Sequence, residues 1–503
     1  MRPPEQSSSP RARTGLSKSK IAIFEQCPKR LWLSAYRPEL SHDADSTKLA
    51  FRIGHAVGEL ACELVPDGIM IDADAGLGAA AQATADAMAA TDRRPLFEAT
   101  FIHDGVVVRV DLLLPEADGW HVVEVKSTTS VKPYQRADLA TQLWVLRGCG
   151  VPVSRASIRV IDRSFVLQTE DDYAGLFADH DTGHIIAPMV DARTDVVADA
   201  KTMLAGDEPA ITVGPQCSDP FPCSFDAYCR RDLPDPAPWP TSLLPGVAGK
   251  ALARTLGEGG IDDLLAVDAG DISNAKLSRI HAATVSGVAY HDDAAIRRET
   301  DDWAYPRIFL DFETIAFAIP RWLGTSPFQQ IPFQFSAHVD RGYQPFEHHE
   351  FLSIDGTDPR VRCAAALTRL PATGAVVAWN ASFERSCLLQ LARTAPAYAP
   401  ELRSLAERLV DLLPVARRHY YHRDMRGSWS IKAVVPTLAP SLAYDTLDGA
   451  RSGIEAQDHY LEAITASTSD ARRDEISQSL RAYCRHDTLA MVVALDRLRQ
   501  TSG

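Results

Sequence analysis

The stretch RDLPDPAPWPTSLLPG, residues 231–246, repeats proline too densely for either a helix interior or a central strand to run through it. A chain of 503 residues exceeds what one ordinary core fills, so this break is where it is expected to divide. Residues 1–15, rich in Ser, Pro and Arg, read as a disordered tail. Residues 16–233 alternate helical and strand-like stretches. Residues 234–302 read as a small module of short helices without a strand, and residues 303–503 as a second α/β region.

Composition narrows the class. A hydrophobic fraction of 46% with 23% charged residues describes a soluble globular protein. No run of roughly 18 apolar residues is present, and the polar start MRPPEQSSSPRARTG lacks the apolar core of a signal peptide. The expectation is a cytoplasmic protein with no membrane partner. A net charge of -14 argues against a protein that coats nucleic acid through its whole surface. An acidic metal site with a local basic groove remains compatible with it. Nine cysteines in such a compartment are not expected to form disulfides.

In GVVVRVDLLLPEADGWHVVEVKST two β-branched runs flank a turn, the signal of a hairpin. Folding about Ala117 and Asp118 sets Asp111 opposite, or nearly opposite, Glu124, with Cβ atoms about 4.5–5.5 Å apart. Lys126 shares the Glu124 face by the period of two. Acids to hold a divalent ion, with a Lys to orient the nucleophile or stabilise charge, suit phosphodiester hydrolysis. A surface hairpin with an E-x-K ion pair is the plainer reading. Upstream, KLAFRIGHAVGELACELV is helical and carries His55; downstream, DLATQLWVLRGCG is helical and carries Gln142.

These residues resemble the PD-(D/E)XK nuclease superfamily, in the RecB-like branch that includes the four-cysteine CRISPR-associated nucleases. The resemblance runs from Leu16 to Cys229. It implies a divalent metal at His55, Asp111 and Glu124, with Lys126 and Gln142 catalytic. Leu146 stands where the branch often has Tyr.

CSDPFPCSFDAYC spaces Cys217, Cys223 and Cys229 more widely than zinc fingers usually do. Cys27 in FEQCPKRLWL is the candidate fourth thiol. The same resemblance implies a [4Fe-4S] cluster on these four, with zinc or no metal as alternatives. Cys62, Cys149, Cys363, Cys387 and Cys484 read as buried thiols.

In PRIFLDFET an apolar run ends on Asp311 and Glu313, which point to the same face of a strand. Two like charges there become favourable with Mg²⁺ or Mn²⁺ between them. The strand-like IPFQFSAHVD, FEHHEFL and GAVVAWN follow in an order that fits the mixed sheet of an RNase H-like fold. Asn380 reads as a helix N-cap and Glu384 as a helix acid free for another role. Tyr483 and Asp487 share one face of the last helix at i, i+4.

This region resembles the DEDD 3′-5′ exonucleases, in the subgroup whose last motif is Y-x3-D. The resemblance implies metal held by Asp311, Glu313, Glu384 and Asp487, with Tyr483 positioning water. Glu384 stands where the second motif usually has Asp. With GSWSIKAVVP, whose Lys432 and the preceding Arg426 read as solvated cations, with a phosphate contact as the alternative, the chain looks like an uncharacterised bacterial family, domain of unknown function 2779. The fold expected is α/β: a PD-(D/E)XK nuclease domain and an RNase H-like exonuclease domain joined by the helical module. The expected activity is metal-dependent hydrolysis of DNA, single-stranded or at duplex ends, in repair, recombination or defence. RNA processing, or a nucleic-acid-binding scaffold with inactive sites, are the alternatives.

Overall fold

A computed structural model describes residues 15–42, 45–343, 345–444 and 449–500, without side chains for 45–49. The tail expected over 1–15 lies outside the described residues apart from Gly15. The chain falls into two compact units: one runs to Leu233 and also takes in Phe317–Phe328, and the other starts at Pro234 and holds the rest. The helical residues 234–302 thus cluster with the second unit.

The first unit is built on a seven-stranded mixed sheet: β1 (Leu16–Ser17), β2 (Ile69–Met70), β3 (Leu96–His103), β4 (Val106–Glu116), β5 (Gly119–Val125), β6 (Val153–Ile161) and β7 (Phe177–Asp181). Strands β2 to β7 lie in sequence order, and β1 pairs with β4. Glu116 faces Gly119 and Leu112 faces Val123, so the β4–β5 hairpin turns at Ala117 and Asp118 as its sequence predicts. Val122 joins a core cluster with Leu139 and Val145 of helix Pro133–Gly148. Val123 joins another with Ala61 of helix Asp45–Glu63. Successive strand residues alternate faces, so the two helices cover opposite sides of β5. The segment Phe317–Phe328 completes a smaller cluster, in which Ala318, Ile319 and Phe328 pack with Val57, Leu60, Ile161 and Leu176.

In the second unit β8 (Tyr290–His291) and β14 (Tyr420–Tyr421) form a short antiparallel pair. The region read as strandless therefore holds one strand, which finds its partner more than a hundred residues away. The main sheet has β9 (Arg307–Ile315) at its centre. Antiparallel β10 (Ile331–Asp340) and β11 (Glu347–Leu352) extend it on one side. Parallel β12 (Val376–Ala378) and β13 (Leu409–Asp411) extend it on the other. One face, with Ile308, Leu310 and Phe312, packs on Leu388 and Leu391 of helix Ala381–Thr394. The other, with Phe309 and Val377, packs on Met491 and Leu495 of helix Asp470–Arg499 and on Leu256, Ile280 and Ile296 of the helical region. No helix among the described residues is long and apolar enough to cross a membrane.

Candidate acid centres and a four-thiol pocket

The first centre lies at the end of the β4–β5 hairpin. Glu124 is buried, and its carboxylate receives the Lys126 ammonium at 2.7 Å and that of Lys18 at 2.7 and 2.9 Å. The Gln142 amide, from helix Pro133–Gly148, donates to the same carboxylate. Asp138 binds the other side of Lys126 at 2.9 Å. Burial opposes ionisation of Glu124, but the Lys18 and Lys126 charges outweigh it and hold its pKa below the usual range. Asp111 bears the opposite shift: burial and the Glu124 charge raise it to about 7, although its Oδ2 accepts the Val125 N–H at 2.7 Å.

Four expected residues thus meet: Asp111, Glu124, Lys126 and Gln142. His55 does not join them. Its side chain is 80% exposed with Nε2 3.2 Å from Glu59, on the helix that covers the face of β5 opposite Glu124. Lys18 and Asp138 are the participants sequence reasoning missed. Lys18 follows Ser17, whose hydroxyl caps helix Lys18–Gln26, and nothing in its local pattern ties it to a residue a hundred positions on.

Cys27, Cys217, Cys223 and Cys229 line one small pocket together with Lys29 and Arg30. Cys27 sits at the junction of helices Lys18–Gln26 and Pro28–Tyr36. The Gln26 amide donates to the carbonyls of Gln216 at 2.8 Å and Phe221 at 2.7 Å, which ties that junction to the cysteine loop. Burial pushes the Cys223 and Cys229 thiols up; Cys27 and Cys217 add to both shifts, and Cys223 adds to that of Cys229. Of the remaining cysteines, Cys363, Cys387 and Cys484 are buried as expected, whereas Cys149 is exposed and Cys62 intermediate.

The second centre gathers four acids at β9. Ligand atoms of Asp311, Glu313 and Cys484 all lie within 4.8 Å of one another. Burial raises the Asp311 carboxyl well above its ordinary value, and the charges of Asp487, Glu313 and Glu384 add to the effect. Burial and Asp487 raise Glu313 to about 8. Glu384, 2% exposed, is likewise raised to about 8, chiefly by burial, and its Oε2 has no hydrogen-bond partner among the described residues. Asp487 is raised by burial even though the Tyr444 hydroxyl donates to its Oδ1. Tyr483 is buried beside it.

Lys432 is not a solvated cation. Its ammonium stands 4.9 Å from the Tyr483 ring centroid and 5.1 Å from that of Tyr444, and its charge partly offsets the upward shifts of Glu313 and Asp487. Asn380 occupies the cap position with φ 81°, but its side chain makes no capping bond. Asp411, at the end of β13, accepts the Asn380 and Ala381 N–H groups at 3.0 and 3.1 Å instead. Tyr444 and Asp411 carried no signal in the sequence reading. Cys484 was adjacent to one, lying inside the Y-x3-D spacing.

Comparison with known proteins agrees with the resemblance over part of the chain. Residues 308–430 match a family model described as Domain of unknown function (DUF2779). The match includes Asp311, Glu313, Glu384 and Asp411 and ends before Lys432, Tyr444, Tyr483 and Asp487. No curated protein matches the chain.

Proposed function

We propose that the protein is a metal-dependent nuclease that hydrolyses phosphodiester bonds of DNA, and that the second centre is its main catalytic site. The observation that carries this reading is the convergence of Asp311, Glu313, Glu384 and Asp487 in a buried site, with one Glu384 oxygen left without a partner. Burying carboxylates against one another is costly unless protons or cations compensate them. Oxygen donors of this kind suit Mg²⁺ or Mn²⁺. The four acids would hold the ion, which supplies electrostatic stabilisation of phosphate and a lowered water pKa. Tyr483, beside Asp487, orients the attacking water through its hydroxyl, and Lys432 contributes positive charge where phosphate negative charge accumulates. The strand order β11-β10-β9-β12-β13, antiparallel on one side of β9 and parallel on the other, supports an RNase H-like sheet under this site.

In the first unit the hairpin acids, Lys126 and Gln142 support a PD-(D/E)XK-type reading. The four-thiol pocket there supports a [4Fe-4S] cluster. Among the described residues no three of its sulfurs come within 4.8 Å of one another. Tetrahedral zinc would hold them about 3.8 Å apart. A structural role, joining Cys27 to the loop after the sheet, suits this position.

A second reading, binding without cleavage, is favoured in the first unit by one observation. The Glu124 carboxylate is already taken by two ammonium groups and an amide, so a divalent ion would enter only with Lys18 withdrawn.

The test is cleavage of end-labelled single-stranded DNA, duplex DNA and RNA by anaerobically purified protein with Mn²⁺ or Mg²⁺. Wild type is compared with Glu124→Ala, Asp311→Ala and the double variant. Loss of exonucleolytic products in Asp311→Ala is expected; unchanged activity there would sink the assignment. Products that vanish only in Glu124→Ala would make the first centre active too. Preference for RNA would replace the substrate class.

A further inference from the structure

The helical residues 234–302 take no part in either acid centre, yet they help form a local concentration of positive charge. Lys276 lies in the first turn of helix Ala275–Ser286, and Arg279 lies one turn further on. Arg417 is exposed in the last turn of helix Leu412–His419. Burial lowers the Lys276 pKa, and the charges of Arg417 and Arg279 lower it further, so these three cations repel one another within reach. Among the described residues neither Lys276 nor Arg417 forms an ion pair, and Arg279 donates only to neutral oxygens: Ala275 O, the Tyr290 hydroxyl and Arg418 O.

Helix polarity favours Arg417, in a last turn, but opposes Lys276. A cation in a first turn opposes the positive end of the helix. The chain has a net charge of -14, yet the acid beside this cluster, Glu299, is taken by Arg418 and His419 and pairs with none of these three.

The cluster adjoins the second centre through Trp429. The Lys276 ammonium sits 4.6 Å from the Trp429 ring centroid. The Trp429 carbonyl accepts the Trp379 indole N–H at 3.0 Å, and Trp379 immediately precedes Asn380 and the helix of Glu384. Three residues after Trp429, Lys432 reaches the acids themselves. One short segment, Trp429 to Lys432, thus touches Lys276 at one end and influences the acids at the other.

We propose that Lys276, Arg279 and Arg417 form a phosphate-binding strip that holds the backbone of a nucleic-acid strand whose end lies in the second centre. This inference rests on the nuclease reading of that centre. A strand backbone supplies the regularly spaced negative charge that three mutually repelling cations lack, and release of its counterions favours association. Such contacts position a strand without reading its sequence.

The test uses the full chain carrying Glu124→Ala, so that only the second centre can cut. A triple variant, Lys276→Ala with Arg279→Ala and Arg417→Ala, is compared on two substrates: a p-nitrophenyl ester of a mononucleotide and a short single-stranded oligonucleotide. The ester is too small to reach the strip and should be cut unchanged. For the oligonucleotide, KM should rise at least about fivefold, and the salt dependence of binding should become shallower by about 2 in log–log slope. Arg417→Glu alone, at an exposed position, should move both quantities in the same direction. Unchanged KM and slope in both variants overturn the strip. If the parent cuts neither substrate, the nuclease reading of the second centre fails by itself. Oligonucleotide affinity in the same variants then decides the strip, equal affinity overturning it.

Discussion

Lys432 holds its ammonium 4.9 Å from the ring of Tyr483, between that ring and the ring of Tyr444, whose hydroxyl binds Asp487. The protein thus places one fixed cation at the edge of four buried acids. In the absence of metal this charge moderates their mutual repulsion, and when metal binds it opposes the incoming ion.

Lys432→Met should therefore do two things of opposite sign. The metal-free protein should lose about 1–2 kcal/mol, the scale of a cation–π contact with partial desolvation. The rise in Tm on adding Mn²⁺ should become larger than in wild type. Thermal unfolding with chelator and with excess Mn²⁺ checks both, and a smaller metal-dependent rise would contradict this role.

Glu384 gives a pH dependence whose sign is fixed by its folded pKa of about 8 against an ordinary value of 4.5. Between those values the folded state binds more protons than the unfolded one, so stability falls as pH rises. Glu384→Gln removes this slope. Without metal, the variant should gain on wild type by on the order of 1–3 kcal/mol between pH 5 and pH 8. Denaturant unfolding at several pH values measures the gap, and a constant gap would count against a buried carboxyl with a raised pKa. Saturating Mn²⁺ should reverse the order at pH 8.

At the first centre, Lys18→Met leaves Glu124 with one ammonium in a buried site. Removing one partner of a buried pair costs about 3–5 kcal/mol. Glu124→Gln in the same chain should recover a large part of that loss, since the amide needs no counter-charge. A double-mutant cycle by equilibrium unfolding reads the coupling, and additive losses would mean that the pair contributes little.

Cys223→Ser tests the thiol pocket. Anaerobically purified wild type should carry iron and sulfide with broad visible absorption, and the variant should lose most of both. Zinc in place of iron in wild type would restore the mononuclear reading.

What the sequence disclosed and what it withheld divide along physical lines. The hairpin register follows from strand alternation and a turn, both local, and so the approach of Asp111 to Glu124 was legible. Tyr483 and Asp487 were equally legible, because helix periodicity is local. Lys18, Tyr444 and Lys432 reach their sites across long sequence separations, and no period encodes that. His55 was drawn in by resemblance, whereas the alternation of Val123 and Glu124 places its helix on the other face. The capping role passed from Asn380 to Asp411 because the carboxylate at the end of β13 is presented to two free N–H groups at once.

The segment Phe317–Phe328 belongs to the first compact unit although it follows the strand that carries Asp311 and Glu313. During synthesis the first unit therefore lacks part of its apolar packing until residue 328 has emerged, by which point the central strand of the second unit has been made. Cutting the gene at the proline-rich break would give an N-terminal fragment that exposes the surfaces of Val57, Leu60 and Leu176, and a C-terminal fragment with an orphaned apolar loop. The two units are separate in their cores but joined in the order of their folding.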